Sequence, residues 1–263
     1  MSYSTPEFSE HGHYIEYASA PPFAETPIEM HEVLKTGNIP AGVTQKRSVS
    51  TALLEIDSWL PFAAEHYRTS ASLKDYVVVP YTIFLTEFPN ANGAAFSFDQ
   101  MSAWEPNQAC LSYQTWRRKP AFQEHANQDP TIASGLIFDS SMRAVPDIQG
   151  TPHRVVLLTG WDRYRYPKLV ESVLNKRSGA SMGAWVRDYN CGCCGASLKK
   201  GGCRHLDPQR GARMLEENGK LVYRLAQGVQ GFEVSAVKNP AWRSAWGLPI
   251  DSHLREINAA SQW

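Results

Sequence analysis

The sequence predicts a β-rich α+β domain, a barrel or sandwich with helical additions. Two observations predict it. Between residues 75 and 240 there are seven or eight short segments rich in β-branched and aromatic residues, separated by turn residues, and only a few segments with helical period. No internal repeat and no low-complexity run interrupts them.

Residues 1–44 have no clean period and carry Pro21, Pro22, Pro27 and Pro40, which reads as an extended, partly irregular arm. Residues 45–74 form a helical segment: Val49, Leu53, Ile56 and Leu60 recur at helical spacing until Pro61, which is expected to interrupt it. "DYVVVPYTIFLTEF" opens the strand region, with Pro80 marking an edge position or two abutting strands. "PNANG" at 89–93 is a turn, and "AAFSF" resumes a strand. "ACLSYQTW" alternates, with Cys110 expected as a small buried strand residue. "TIASGLIFDSSM" and "HRVVLLTGWD" are two further strands. "YPKLVESVLNKR" is a helix with Pro167 at its start and Leu169, Val170, Val173 and Leu174 on one face. "ASMGAWV" begins another strand. "LDPQRGARMLEENGK" reads as a short helix with Asp207 as N-cap, Pro208 in the first turn and Gly219 as stop. "KLVYRLA" and "GFEVSAVKNPAW" close the set, and residues 241–263 form an irregular aromatic tail.

The bulk numbers limit the function classes. Lys plus Arg and Asp plus Glu are 26 each, so whole-protein charge gives no reason to expect nucleic-acid binding. No apolar run approaches the roughly 20 residues of a membrane span. The N-terminus lacks the basic start and apolar middle of a secretory signal. Five cysteines, four of them clustered, suit a reduced compartment and a metal site better than a disulfide framework.

That cluster lies in "CGCCGASLKKGGCRHL", residues 191–206. Cys191-x-x-Cys194 followed by Gly195 is the tight turn that lets two thiolates converge on one ion. Cys203 and His205 are two apart, so on extended chain they point to one side. Three sulfurs and one nitrogen suit tetrahedral zinc, with Cys193 turned away or serving as an alternative ligand. Four protein ligands leave no position for water or substrate, so the expected zinc is structural, in a knuckle over residues 190–206. Lys199, Lys200 and Arg204 would allow such a knuckle to touch nucleic acid, but a solvated loop explains them better.

Upstream, Ser181 is followed by Met182, Gly183 and Ala184. Small neighbours leave its hydroxyl accessible, and the amides of Met182 and Gly183 are candidate oxyanion donors. A nucleophilic serine needs a base, and His125, placed where a strand gives way to a polar turn, is the best placed of eight histidines. A base needs an orienting group, and Glu233 stands on a strand face that otherwise looks buried. Read singly, each is as easily a turn serine, a surface histidine and a rim glutamate.

In order along the chain, these segments resemble the prohead (capsid maturation) serine proteases of tailed bacteriophages, which share the herpesvirus-assemblin type of fold. "WRRKPAFQEHANQDPTIASGLIFDS" is similar to the segment leading to the family's catalytic histidine. "GASMGAWV" is similar to its nucleophile strand, and "FEVSAVKNPAW" to its Glu-Val-Ser signature. "WDRYRYPKLVESVLNKRSG" fits the helix before the serine strand, and the cysteine insertion resembles one found in a subset from large tailed phages. The resemblance covers Val77 to Ala241. It implies a small closed β-barrel with surrounding helices over residues 75–240. It also implies a serine endopeptidase in which Ser181 is nucleophile, His125 general base and Glu233 the orienting carboxylate; Glu124 beside His125 departs from the family pattern and is a competing orienter. The implied substrates and neighbours are phage scaffold and major capsid proteins, met inside the prohead as it assembles in the bacterial host cytoplasm. Homo-oligomerisation stays open, and no membrane or nucleic-acid partner is expected. Two other functions remain at this stage: a catalytically inactive structural protein of the head or core, and a zinc-knuckle nucleic-acid binder.

Overall fold

The computed structural model describes residues 7–8, 14–20, 28–29, 49–90, 92–145, 150–175, 177–206, 216–217 and 220–238. In chain order the elements are β1 (Glu7–Phe8), β2 (Tyr14–Ala20), β3 (Ile28–Glu29), α1 (Val49–Tyr67), β4 (Tyr76–Leu85) and β5 (Ala94–Ala95). There follow the single-turn α2 (Phe98–Met101), β6 (Trp104–Glu105), β7 (Cys110–Leu111), β8 (Pro120–Gln123), β9 (Gly135–Ala144) and β10 (His153–Asp162). The last are α3 (Pro167–Leu174), β11 (Gly179–Cys191), β12 (Glu216–Glu217), β13 (Lys220–Leu221) and β14 (Arg224–Val237).

One ten-stranded sheet dominates, in the order β1-β2-β11-β14-β8-β9-β10-β4-β3, with β5 joining β14 from the side. It curls into a half-barrel. The closed barrel expected from the resemblance is matched in part: among the described residues no ladder pairing joins the two ends of this order, while β2 and β4, next to those ends, lie against each other. The pairing is antiparallel except where β14 runs parallel to β8 and β5.

The sheet separates two apolar cores. Inside the curl lie Val79, Ile83, Trp116, Leu157, Trp161, Met182 and Val234, among others, with Leu169, Val170 and Val173 of α3 packed against them. Outside, Ile56, Trp59 and Leu60 of α1 cover Tyr76, Val78, Leu136, Phe138 and Leu158. Strands β4 and β10 are thus buried on both faces, which is why "VVVPYTIFL" and "VVLLTGW" read as near-continuous apolar runs rather than alternating ones.

Several elements differ from expectation for identifiable reasons. Helix α1 continues through Pro61 to Tyr67. The missing amide costs one intrahelical bond, and burial of Trp59, Leu60 and Ala64 on the sheet outweighs it. Strand β4 is continuous through Pro80; β3 pairs only Val77 and Val78, so beyond them β10 is its one described neighbour and the proline occupies an edge. "AAFSF" forms only the two residues of β5, because Ser97 caps α2 by accepting from the Gln100 amide. "ACLSYQTW" gives the two residues of β7 and a 3-10 turn, Ser112–Gln114, and Cys110 is half-exposed rather than buried. The strands expected separately at "RLA" and "GFEVSAV" are one, β14. The helix expected over Asp207–Gly219 lies outside the described residues, apart from Glu216–Glu217, which are strand. The tail at 241–263 lies wholly outside them. The expected N-terminal arm adds β2 to the open side of β11.

Candidate active site and metal centre

Strand β11 is the axis of both candidate sites. From Gly179 to Cys191 it is antiparallel to β14, with Ser181 opposite Ser235 and Gly183 opposite Glu233. On its other side it is antiparallel to β2 from Ala180 to Val186. Ala180, Met182, Ala184 and Val186 belong to the inner core, as do Val234 and Ala236 of β14. Strand alternation therefore puts Ser181, Gly183, Glu233 and Ser235 together on the other face.

His125 reaches this face from the turn after β8. Strand β8 runs parallel to β14, and the Glu124 amide donates to the Ala236 carbonyl at 2.9 Å, extending the pairing by one residue. Glu124 and His125 then both take left-handed backbone, φ 51° and 58°, a conformation that side-chain-bearing residues hold only when their surroundings fix it. The turn brings His125 Nδ1 to 3.1 Å from Glu233 Oε1. Ser235 Oγ donates to the other carboxylate oxygen, Oε2, at 2.6 Å. Glu233 is fully buried while the His125 side chain is 26% exposed, so the pair is inaccessible on the carboxylate side and open on the imidazole side. Glu124, the alternative orienter, instead accepts the Lys238 amide at 3.1 Å.

Gly183 explains how a glutamate fits here. A Cβ at residue 183 would lie 2.5 Å from Glu233 Oε1 and 2.8 Å from Phe232 Cζ. Directly opposite residues in a ladder normally crowd their Cβ atoms; the glycine leaves space for the carboxylate to fold over the strand toward His125. The register shifts beside Gly183, where Phe232 is the extra residue of a β-bulge. The segment before β8 braces this bulge: Ser112 Oγ donates to the Val229 carbonyl, the Gly231 amide to Thr115 Oγ1, and Trp116 Nε1 to the Gly183 carbonyl. These braces were not foreseen in the sequence, because Ser112, Thr115 and Trp116 lie 67 or more residues before the residues they hold.

Ser181 itself is 1% exposed. Met182 and Gly183 lie where β11 has a neighbour on each side, so their amides face ladder partners, and the interruption is the bulge beside Gly183. A cavity of about 600 Å³ is not lined by this serine. It is lined by Gln123, Glu124, Tyr166, Leu169, Ser178 and Ala236 among others, of which Leu169 and Ala236 belong to the inner core.

Ten residues along β11 from Ser181, about 33 Å at the rise of an extended strand, lies the cysteine cluster. The ligand atoms of Cys191, Cys194, Cys203 and His205 all fall within 4.8 Å of one another. His205 Nδ1 is 3.5 Å from both Cys191 Sγ and Cys203 Sγ. A tetrahedral ion with the usual bond lengths to sulfur and nitrogen requires about 3.6 Å along that edge, so the donors stand at the separation one metal ion needs. Gly195, at φ 74°, closes the Cys191–Cys194 turn and donates its amide to the Cys191 carbonyl at 2.8 Å. The Cys193 amide points to Cys191 Sγ at 3.4 Å. The Asp188 carboxylate accepts from the Ser197 hydroxyl and the Lys199 amide, pinning the loop to β11.

Burial pushes the Cys191 thiol up to about 11. Burial acts on Cys203 in the same direction, but the Leu206 amide, the Cys194 thiol, the His205 amide and the Cys191 thiol outweigh it and bring Cys203 down to about 7. A cation held here displaces thiol protons, so its binding weakens as pH falls. Chelation is expected to loosen the end of β11 and raise amide exchange over 188–206, with little change around Ser181. Hydrogen exchange with and without chelator measures this; equal loosening at both ends of the strand would contradict the separation.

No family model matches the chain, and no curated protein matches it. Among solved structures the comparison gives the bacteriophage T4 capsid assembly protease, gp21, at 12% identity and a TM-score of 0.37, covering 86% of this chain and 96% of that one. A likeness at that TM-score has no bearing on function. No described helix is long and apolar enough to cross a membrane.

Proposed function

We propose that the chain is a serine endopeptidase of the capsid-maturation type, with Ser181 as nucleophile, His125 as general base and Glu233 as the carboxylate that orients it. The observation that carries this is the 3.1 Å contact between His125 Nδ1 and the wholly buried Glu233, on the sheet face that Ser181 shares. With Nδ1 committed to the carboxylate, Nε2 is the nitrogen that serves the serine. It takes the Ser181 proton as Oγ attacks the scissile carbonyl and returns it to the departing amine. Water then attacks the acyl-enzyme, giving its proton to His125, which passes it to Ser181 Oγ as the bond to the acyl group breaks and the acid leaves. The Met182–Gly183 backbone is the proposed oxyanion site; since these residues are paired on both sides, a donor there would have to be freed at the bulge, where the ladder to β14 is interrupted. The proposed substrates are segments of phage scaffold and major capsid protein inside the immature head, following the resemblance of the His, Ser and Glu-Val-Ser segments to prohead proteases.

Cys191, Cys194, Cys203 and His205 are proposed to hold zinc, which three sulfurs and one nitrogen favour. When bound it supplies a cross-link and no chemistry, since the four donors complete a tetrahedral shell. These residues fasten the loop leaving β11, about 33 Å of strand from Ser181.

One observation favours a second reading, a protease-fold structural protein without activity: Ser181 is almost wholly buried. A fluorophosphonate probe, which reacts only with an activated and reachable serine, separates the two. The protease reading expects covalent labelling mapped to Ser181 by mass spectrometry and lost in His125→Ala. A folded protein that leaves Ser181 unmodified would support the structural reading.

A further inference from the structure

We propose that Ser235 is a positioning residue: its hydroxyl locks the Glu233 carboxylate and the His125 main chain into one unit. This rests on the reading of Ser181, His125 and Glu233 as a triad. Ser235 is fully buried in β14, opposite Ser181 in one ladder and beside Phe122 of β8 in the other. Its Oγ donates to Glu233 Oε2 at 2.6 Å and accepts the His125 amide at 3.2 Å.

A serine hydroxyl has one proton to donate. Spending it on Oε2 fixes the carboxylate rotamer and turns Oε1 toward Nδ1 of the imidazole. The same oxygen, as acceptor, holds the backbone of the residue that carries that imidazole. This second bond matters because Glu124 and His125 are consecutive left-handed residues without glycine, a turn that relaxes unless its amides are held. The carboxylate and the imidazole thus share one anchor, and a shift in either is transmitted to the other. A serine that merely satisfied a strand would need only one of these bonds. Ser235 touches no reacting atom, so its loss should slow the bond-forming step without weakening ligand binding.

The test uses the full-length protein and a fluorophosphonate probe, with the maximal labelling rate of Ser181 and the half-saturating probe concentration measured separately. Circular dichroism and the melting temperature check folding in each variant. Ser235→Ala is expected to lower the maximal rate about 10- to 100-fold and leave half-saturation unchanged. Ser235→Thr, which keeps the hydroxyl, is expected to recover most of the rate. Because Ser235 acts partly through Glu233, adding Ser235→Ala to Glu233→Gln should slow labelling by less than the product of the two single effects. Folded Ser235→Ala protein labelled at the wild-type rate overturns the proposal. So do a folded Ser235→Thr variant as slow as alanine, and effects of Ser235→Ala and Glu233→Gln that multiply. Failure of the wild type to label at Ser181 is a different result: it overturns the triad reading, and this role with it.

Discussion

Ser181→Ala protein is expected to fold like wild type and to cleave co-expressed scaffold protein at least about 10⁴-fold more slowly. The two halves of this expectation have different origins. Removing the hydroxyl removes the atom that would form the acyl-enzyme, and in nucleophile-dependent hydrolases the rest of the machinery works only as a unit with it. The fold should hardly respond, because alanine fits a strand position flanked by Ala180 and Met182 and paired on both sides. Processing of scaffold followed on denaturing gels, with the melting temperature measured in parallel, checks both. Undiminished cleavage by a folded Ser181→Ala protein would remove the serine from the mechanism. His125→Ala and Glu233→Gln belong in the same series; the latter is expected to be milder, since the imidazole survives and loses only its orienting charge.

Gly183→Ala is the second large effect, and it comes from one methyl group. The added Cβ would sit 2.5 Å from Glu233 Oε1 and 2.8 Å from Cγ of the same side chain, closer than packed atoms allow. Phe232 is equally near on the bulge, stacked on Trp185 with ring centroids 4.8 Å apart, so it does not yield cheaply. The carboxylate must move, and Oε1 is the oxygen that meets His125. Cleavage is expected to fall about 10²- to 10⁴-fold, toward the level of Glu233→Gln, with a stability loss of about 1–3 kcal/mol from overpacking. Urea denaturation separates the two components. A Gly183→Ala protein that is destabilised yet fully active would mean that the contact between Glu233 and His125 is not used. The result also distinguishes two roles for this glycine, since an oxyanion donor needs only its amide, which alanine keeps.

The sequence by itself determined the β-rich class, through apolar runs of strand length bounded by turn residues. It picked out the cluster of Cys191, Cys194, Cys203 and His205, because spacing within 15 residues is local information. Ser181, His125 and Glu233 were legible as residue types and, through family resemblance, in order along the chain. Their mutual geometry was not, since 56 and 52 residues separate them in turn. Tertiary structure decided which carboxylate meets the imidazole. Glu124, next to His125 in sequence, turns to the Lys238 amide, while Glu233, 108 residues away, makes the contact because β8 and β14 run side by side. It also decided why Gly183 is a glycine, that α1 runs through Pro61, and that the sheet curls into a half-barrel. The physical reason is common to all of these. Local pattern sets which way the chain extends and which face is apolar, whereas register across a ladder sets which side chains meet. That register is fixed only when the strands pack, through bulges and through braces such as Trp116.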